Sequence, residues 1–350
     1  YVPVTLVSAA KQSVTTEELP RLNVKIWHEI ESVAQTAIAE TLGIPATSLN
    51  LITSLQELTV NEVAFIPAKL IDFNVKLLSL DNNYYLDSFD KGAVFRKAIF
   101  TSESPTTLNE LDLNELNNKE NTFKINQSGV TALTRVMMRK LDSVGDPLYF
   151  SEKIGAFMAD ADLTHISNEV SFSDNCNFSL TLFCSDPRFI ETLKASGVDL
   201  VEITGNHNND LGSQNNTDTI NLYRSLGWEV VGGGLNTADA AKYFIADQKQ
   251  SKVAFLAYNY PDSPNGGAIA KAETAGANSF DFDRIQTDIT NAKLQSQFVI
   301  VDVQFWECYA YPDGYVEYPI CDLPIGEQEA VFKKLVDLGA DMVVGTSAHQ

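Results

Sequence analysis

The sequence predicts an α/β fold in two parts. Three observations carry this. Runs rich in β-branched residues recur with helical patterns between them, and most are unbroken by polar alternation, as expected of strands buried on both faces. A polar stretch over residues 102–128, rich in Asn, Glu, Thr and Ser, separates an amino-terminal part from the rest. At 44% hydrophobic residues, the chain can bury substantial cores, which excludes disorder throughout.

The first part, residues 1–101, reads as a smaller α/β domain. It opens on the apolar stretch Val2 to Val7. A long amphipathic segment follows from Glu17 to Leu42, and His28 within it is assigned no function. Strand-like runs come next at Val63 to Pro67 and Val75 to Leu80. The 102–128 linker carries Leu111, Leu113 and Leu116, which suggest a short helix. In the second part, residues 129–350, strand-like runs lie at 163–166, 200–204, 229–231, 253–257, 298–303 and 342–344. Helical patterns cover Thr217 to Leu226 and Glu327 to Leu338, the latter stopped by Gly339 as a C-terminal cap.

Charge narrows the function. Lys+Arg 25 against Asp+Glu 46 leaves a net charge of −21, which opposes binding to nucleic acid or to an anionic membrane surface. An anionic substrate would need a local cationic centre, such as a metal ion. No apolar run reaches the roughly 18 residues that a spanning helix needs. The chain starts at Tyr1 without a signal-peptide pattern, as expected of a mature or trimmed chain.

Four cysteines form two close pairs, Cys176 with Cys184 and Cys308 with Cys321. Each pair would close a short loop, so two disulfides and an oxidising compartment are the expectation. The alternatives are zinc, disfavoured by the lack of any CxxC, and four buried thiols.

The polar residues of interest follow the strands, where sites form in open α/β sheets. Ser167-Asn168-Glu169 follows the first run, and Gly205-Asn206-His207-Asn208-Asn209-Asp210 the second. Gln304-Phe305-Trp306-Glu307 and Gly345-Thr346-Ser347-Ala348-His349 follow two later ones. Residues 129–350 thereby resemble the CapA family of poly-γ-glutamate capsule biosynthesis proteins, whose fold is that of the calcineurin-like metallophosphatases. The resemblance rests on three elements. They are Gly205-Asn206-His207 through Asp210 and Gly212, Ala161-Asp162-Leu163 with Asn168-Glu169, and Gly339-Ala340-Asp341 with Gly345 and His349.

The resemblance implies a layered α/β/β/α domain and a site using divalent ions such as Mn, Zn, Fe or Ca. Two such ions can clamp a phosphoester and lower the pKa of bound water. Glu169, Asn206 and His349 would be metal ligands, with Gln304 as an oxygen donor. His207 would be the general acid or transition-state donor, and Asp210 would orient it. Arg135, Asn168 and Asn208 would meet substrate. Three positions depart from the family pattern. Val130 stands where an Asp ligand is expected, Gln304 (or Phe305, if the match is shifted by one) where a His is expected, and Ser347 where the first of two terminal His is expected.

Three functions remain open from the sequence. One is a metal-assisted hydrolase making or attaching an anionic surface polymer outside the cytoplasm, with that polymer or its precursor and a membrane-bound biosynthetic complex as partners. The second is an inactive polymer-binding module on the same fold, and the third a structural surface protein. The resemblance also implies further chain beyond Gln350.

Single residues have plainer readings. Asn206 and Asn208 could be left-handed turn residues, and Asp210 a helix cap. His165, inside an apolar run, reads as a hydrogen-bonded core histidine. Trp306, Tyr309, Tyr311, Tyr315 and Tyr318 form an aromatic cluster that either lines a polymer cleft or packs under a stapled loop. Gly232-Gly233-Gly234 lacks the Lys-Ser/Thr of a phosphate loop and reads as a tight turn. No Gly-x-Ser-x-Gly elbow occurs. A glycosidase-type pairing of Glu169 with Glu307 would depend on their separation in space.

Overall fold

The computed structural model describes residues 1–6, 8–29, 32–67, 70–71, 75–83, 123–131, 133–179, 181–249, 251–260, 268–305 and 327–346. The chain divides into two compact units, Tyr1–Thr122 and Phe123–Gln350.

The first unit contains β1 (Val2–Leu6), β2 (Ser13–Val14), β3 (Val24–Trp27), α1 (Ser32–Leu42), β4 (Asn50–Ile52), β5 (Val63–Ile66), β6 (Val75–Leu77) and β7 (Ser79–Leu80). Its main sheet runs β4-β3-β5-β1-β6. β3 pairs parallel with β4 and β5, and β1 pairs antiparallel with β5 and β6. Both faces are covered. Val63 and Phe65 of β5 pack with Ile38 and Leu42 of α1, while on the other face Ala64 and Ile66 cluster with Val2, Val4 and Val75 of the neighbouring strands and with Leu58.

The amphipathic segment expected over Glu17–Leu42 is not one element. A short 3-10 turn at Leu19–Arg21 is followed by β3, and the helix starts only at Ser32. Pro20 resists a helix interior, and the β-branched and aromatic Val24, Ile26 and Trp27 favour a strand. The Val75–Leu80 run is likewise split, because Val75–Leu77 pair with β1 while Ser79 and Leu80 pair with β2. The helix expected within the linker lies outside the described residues.

The second unit begins with β8 (Ile125–Val130), so residues 125–128 of the expected linker are strand. It continues through α2 (Val136–Val144), α3 (Gly155–Ala159), β9 (Leu163–Ser167), α4 (Ile190–Ala195), β10 (Leu200–Glu202), α5 (Ser213–Ser225) and β11 (Glu229–Val231). Then come β12 (Gly233–Gly234), α6 (Thr237–Ala240), β13 (Phe244–Gln248), β14 (Ser251–Tyr260), β15 (Gly276–Ala277) and α7 (Phe282–Lys293). β16 (Phe298–Phe305), α8 (Glu327–Asp337) and β17 (Met342–Thr346) complete it.

Two four-stranded sheets organise this unit, ordered β11-β10-β9-β8 and β13-β14-β16-β17. The first is parallel throughout. In the second, only β13 runs antiparallel, as the hairpin partner of β14. Leu163, Leu200 and Val231 of the first sheet share one apolar cluster with Val253, Phe255 and Ile300 of the second. The other side of the first sheet packs on α2, α4 and α5 through Leu141, Leu193 and Ile220. The other side of the second sheet packs on α7 and α8 through Ile285, Ile289 and Leu335. Parallel pairing sets the strand ends level: Ser167 is opposite Glu202, and Asn259, Gln304 and Thr346 follow one another across the second sheet. Polar residues at those ends therefore converge. Among the described residues, no helix is long and apolar enough to cross a membrane.

Candidate functional site

The site forms where the loops after β9 and β10 meet the ends of β16 and β17. Glu169 and Gly205 bring the two loops together. A Cβ on Gly205 would lie 2.1 Å from the Glu169 Cβ and 2.3 Å from its Cα, so only glycine permits this approach. A bridge between Val170 and His207 continues the contact.

His207 and Asp210 form its polar centre. His207 Nδ1 lies 2.9 Å from Asp210 Oδ2, and both side chains are largely buried. The same Oδ2 accepts the Phe183 backbone N–H at 2.8 Å. Asp210 thus orients His207 and does not cap α5, whose N-cap is Gly212. The Phe183 ring stands edge-on to the imidazole, with centroids 4.2 Å apart. The Arg135 guanidinium stacks 3.7 Å from the centre of the Phe183 ring. Arg135 is exposed and holds φ 51°, ψ −118°, a conformation that costs a non-glycine residue about 1–3 kcal/mol. Such strain marks a backbone set by its surroundings.

A disulfide between Cys176 and Cys184 supports this arrangement. The loop it closes carries Phe178 against Arg139, 3.6 Å from guanidinium to ring centre. The second expected pair, Cys308 and Cys321, lies outside the described residues, as do the aromatic cluster at 306–318, Glu307, Ser347 and His349.

Asn168 and Asn208 serve the loops rather than facing substrate. Asn168 is 3% exposed and donates to the Val170 carbonyl and to the Tyr223 hydroxyl. Asn208 is 2% exposed and donates to the carbonyls of Ile203 and Gly205 at 2.6 and 3.0 Å. Neither Asn206 nor Asn208 has positive φ. Gly232 has φ 72°, and a Cβ there would fall 2.4 Å from Thr204 Cγ2, in keeping with a tight turn.

Glu169, Asn206 and Gln304 do come together. Gln304 Nε2 donates to Glu169 Oε2 at 3.3 Å and to Asn206 Oδ1 at 3.2 Å. Gln304 Oε1 accepts from Thr346 Oγ1 at 2.9 Å. It is therefore the nitrogen, not the expected oxygen, that faces the other two groups. Among the described residues, no group of three His, Cys, Asp or Glu side chains could hold a metal. As arranged, these three side chains by themselves do not fit a divalent ion.

Beneath the site lies a buried polar layer that sequence reasoning missed. Glu202 is fully buried, accepts from the Thr204 N–H at 2.6 Å, and is pushed up to about 7 by burial. Asp302 accepts from Gln127, and burial with the nearby Glu202 charge holds its carboxyl well above the usual range. His165 is buried and makes no hydrogen bond among the described residues. Its Nε2 stays 3.9 Å from Asp302 Oδ2, it stands edge-on to Phe255, and burial lowers it to about 3. The available signal was a carboxylate inside each of two apolar strands.

These features define an α/β unit with its polar site at the strand ends. Residues 123–350 match the family model of the bacterial capsule synthesis protein PGA_cap, and the chain belongs to that family. It is 28% identical over 164 residues to the capsule biosynthesis protein CapA of Bacillus anthracis, covering 46% of this chain and 37% of that one. It is 26% identical over 160 residues to the PGA biosynthesis protein CapA of Bacillus subtilis (strain 168), covering 46% and 39%. The chain thus spans less than half the length of these relatives. A crystal structure of a hypothetical protein from Thermus thermophilus aligns with TM-score 0.34 and 15% identity over 65% of this chain and 68% of that one.

Proposed function

We propose that this protein works outside the cytoplasm in making or attaching poly-γ-glutamate or a related anionic surface polymer. Family membership supports the polymer, and the Cys176–Cys184 disulfide supports an oxidising compartment. The likeness to metallophosphatases belongs to the same reading, supported by two sheets that share a core with helices packed beyond each.

The observation that carries a role for the site is the His207–Asp210 pair beside Arg135. Asp210 accepts from Nδ1–H and so leaves Nε2 as the nitrogen that meets substrate. Neutral, Nε2 takes a proton; protonated, it donates to charge developing on a substrate oxygen. Arg135 makes no ion pair with the described residues and gives an otherwise acidic chain a local cation for a polymer carboxylate. A membrane-bound assembly of the biosynthetic machinery would deliver that chain to the site.

One observation favours a second reading, a polymer-binding module without turnover: the donation of Gln304 into Glu169 and Asn206. The test is cell-associated and released γ-glutamyl polymer in a host carrying His207→Gln or Asp210→Asn at normal protein level. Polymer falling to the level of a deletion strain supports the His207 role. Full yield from His207→Gln refutes it. Binding of γ-glutamate oligomers to the purified variants separates the two readings, since a catalytic His207 can be lost with binding kept.

A further inference from the structure

We infer that the side-chain amide of Gln304 stands in for a cation, closing the Glu169–Asn206 cluster from within the chain. An anionic oxygen and an amide oxygen point at a common place, as ligands do around a metal. What they meet there is the Nε2 amino group of a buried residue, at 3.3 and 3.2 Å. Its two hydrogens serve the two oxygens, one each.

The amide cannot simply be turned round. Thr346 Oγ1 donates to Gln304 Oε1 at 2.9 Å, and both residues are 2% exposed. Reversal of Gln304 alone would set Oε1 against Glu169 Oε2 and Asn206 Oδ1, with no hydrogen between them. Charge argues against a cation. Among the described residues, Glu169 is the one carboxylate that Gln304 meets, and Val130, at the end of β8 opposite Ser167, supplies no side-chain oxygen. One carboxylate and neutral amides compensate poorly for stripping water from a divalent ion. The oxygens would also have to draw in to the roughly 2.0–2.6 Å of metal–oxygen bonds. The amide needs none of this, because it is neutral and already hydrogen-bonded.

This inference concerns how the cluster is held and stands apart from the polymer role. It is tested by equilibrium dialysis of the full chain against Mn²⁺ and Zn²⁺ separately, with thermal unfolding in the presence and absence of a chelator. The wild type is expected to retain neither ion stoichiometrically and to unfold at the same temperature with chelator. Gln304→Glu supplies a second carboxylate in place of the amino group. It is expected to bind Mn²⁺ at least about tenfold more tightly than wild type and to be stabilised by it. About one ion per wild-type chain, or a chelator-induced fall in its unfolding temperature, overturns the inference, as does a Gln304→Glu affinity no greater than wild type. Should that variant fail to fold, the wild-type measurements decide alone. Metal binding by the wild type would leave the polymer role standing, and a failed polymer assay would leave the Gln304 assignment standing.

Discussion

Removing the Cys176–Cys184 bond by Cys176→Ala with Cys184→Ala tests how the rim of the site is held. The bond closes a loop with a sequence separation of 8. Freeing that loop returns about 2.5 kcal/mol of denatured-state entropy at 25 °C. The native loop keeps other anchors: the Arg139–Phe178 and Arg135–Phe183 stacks and the Phe183 N–H on Asp210. The double variant should therefore fold, with unfolding free energy lower by about 2–3 kcal/mol. Urea unfolding followed by tryptophan fluorescence reads this, because Trp228 packs in the same core as the loop. γ-Glutamate oligomer binding reads the site, and it should weaken as Phe183 loosens beneath Arg135. A stability loss under about 0.5 kcal/mol would mean the denatured loop is already restricted without the bond, and the entropy argument would fail. The expected loss of about 2–3 kcal/mol with unchanged oligomer binding would refute the link from the disulfide through Phe183 to Arg135.

Two further predictions follow from strain and from buried charge. At Arg135, φ 51° and ψ −118° suit glycine, so Arg135→Gly should be more stable than Arg135→Ala by about 1 kcal/mol, the reverse of the usual order near a helix. Both variants should lose oligomer binding alike, and a more stable Ala variant in urea titrations would refute the strain. At Glu202, burial raises the folded carboxyl from 4.5 to about 7, so between those values the folded protein keeps a proton that the unfolded chain has released. Its contribution is complete below pH 4.5 and falls away as pH rises to 7, by about 3 kcal/mol. His165, lowered to about 3, works in the opposite direction from pH 3 to 6.5. Glu202→Gln should therefore gain on wild type by about 3 kcal/mol between pH 4.5 and 8, read by urea unfolding at both values. A pH-independent difference would show that Glu202 does not hold the proton.

Much of the second unit was legible because its buried parallel strands are long β-branched runs, as at Val299 to Val303. β8 was not, because Asn126, Gln127 and Ser128 give it no apolar signature; Gln127 turns instead to Asp302. In the first unit, Pro20 and the alternation of β3 were hidden inside a segment that looked uniformly amphipathic. That Glu169, Asn206, His207 and Asp210 come together at the strand ends was legible because short motifs after strands keep polar side chains close in sequence. Phe183 was invisible, since its place depends on a loop closed by a disulfide and aimed at a residue 27 positions away. The hydrogen bond expected of His165 failed for a related reason. Its nearest carboxylate comes from the other sheet, and a separation of 3.9 Å is set by sheet packing rather than by local sequence.

The stacking of Arg135 on Phe183 has a directional consequence. A guanidinium is a flat ion whose broad surface can lie on a ring while its N–H fork stays in the plane. Contact with Phe183 uses the broad surface, so the fork remains to grip a carboxylate two-handed. Within a dense polyanion, an ion pair securing this arginine would have to compete with every passing carboxylate. The aromatic seat has no such competitor, so the same side chain can be fastened and available at once.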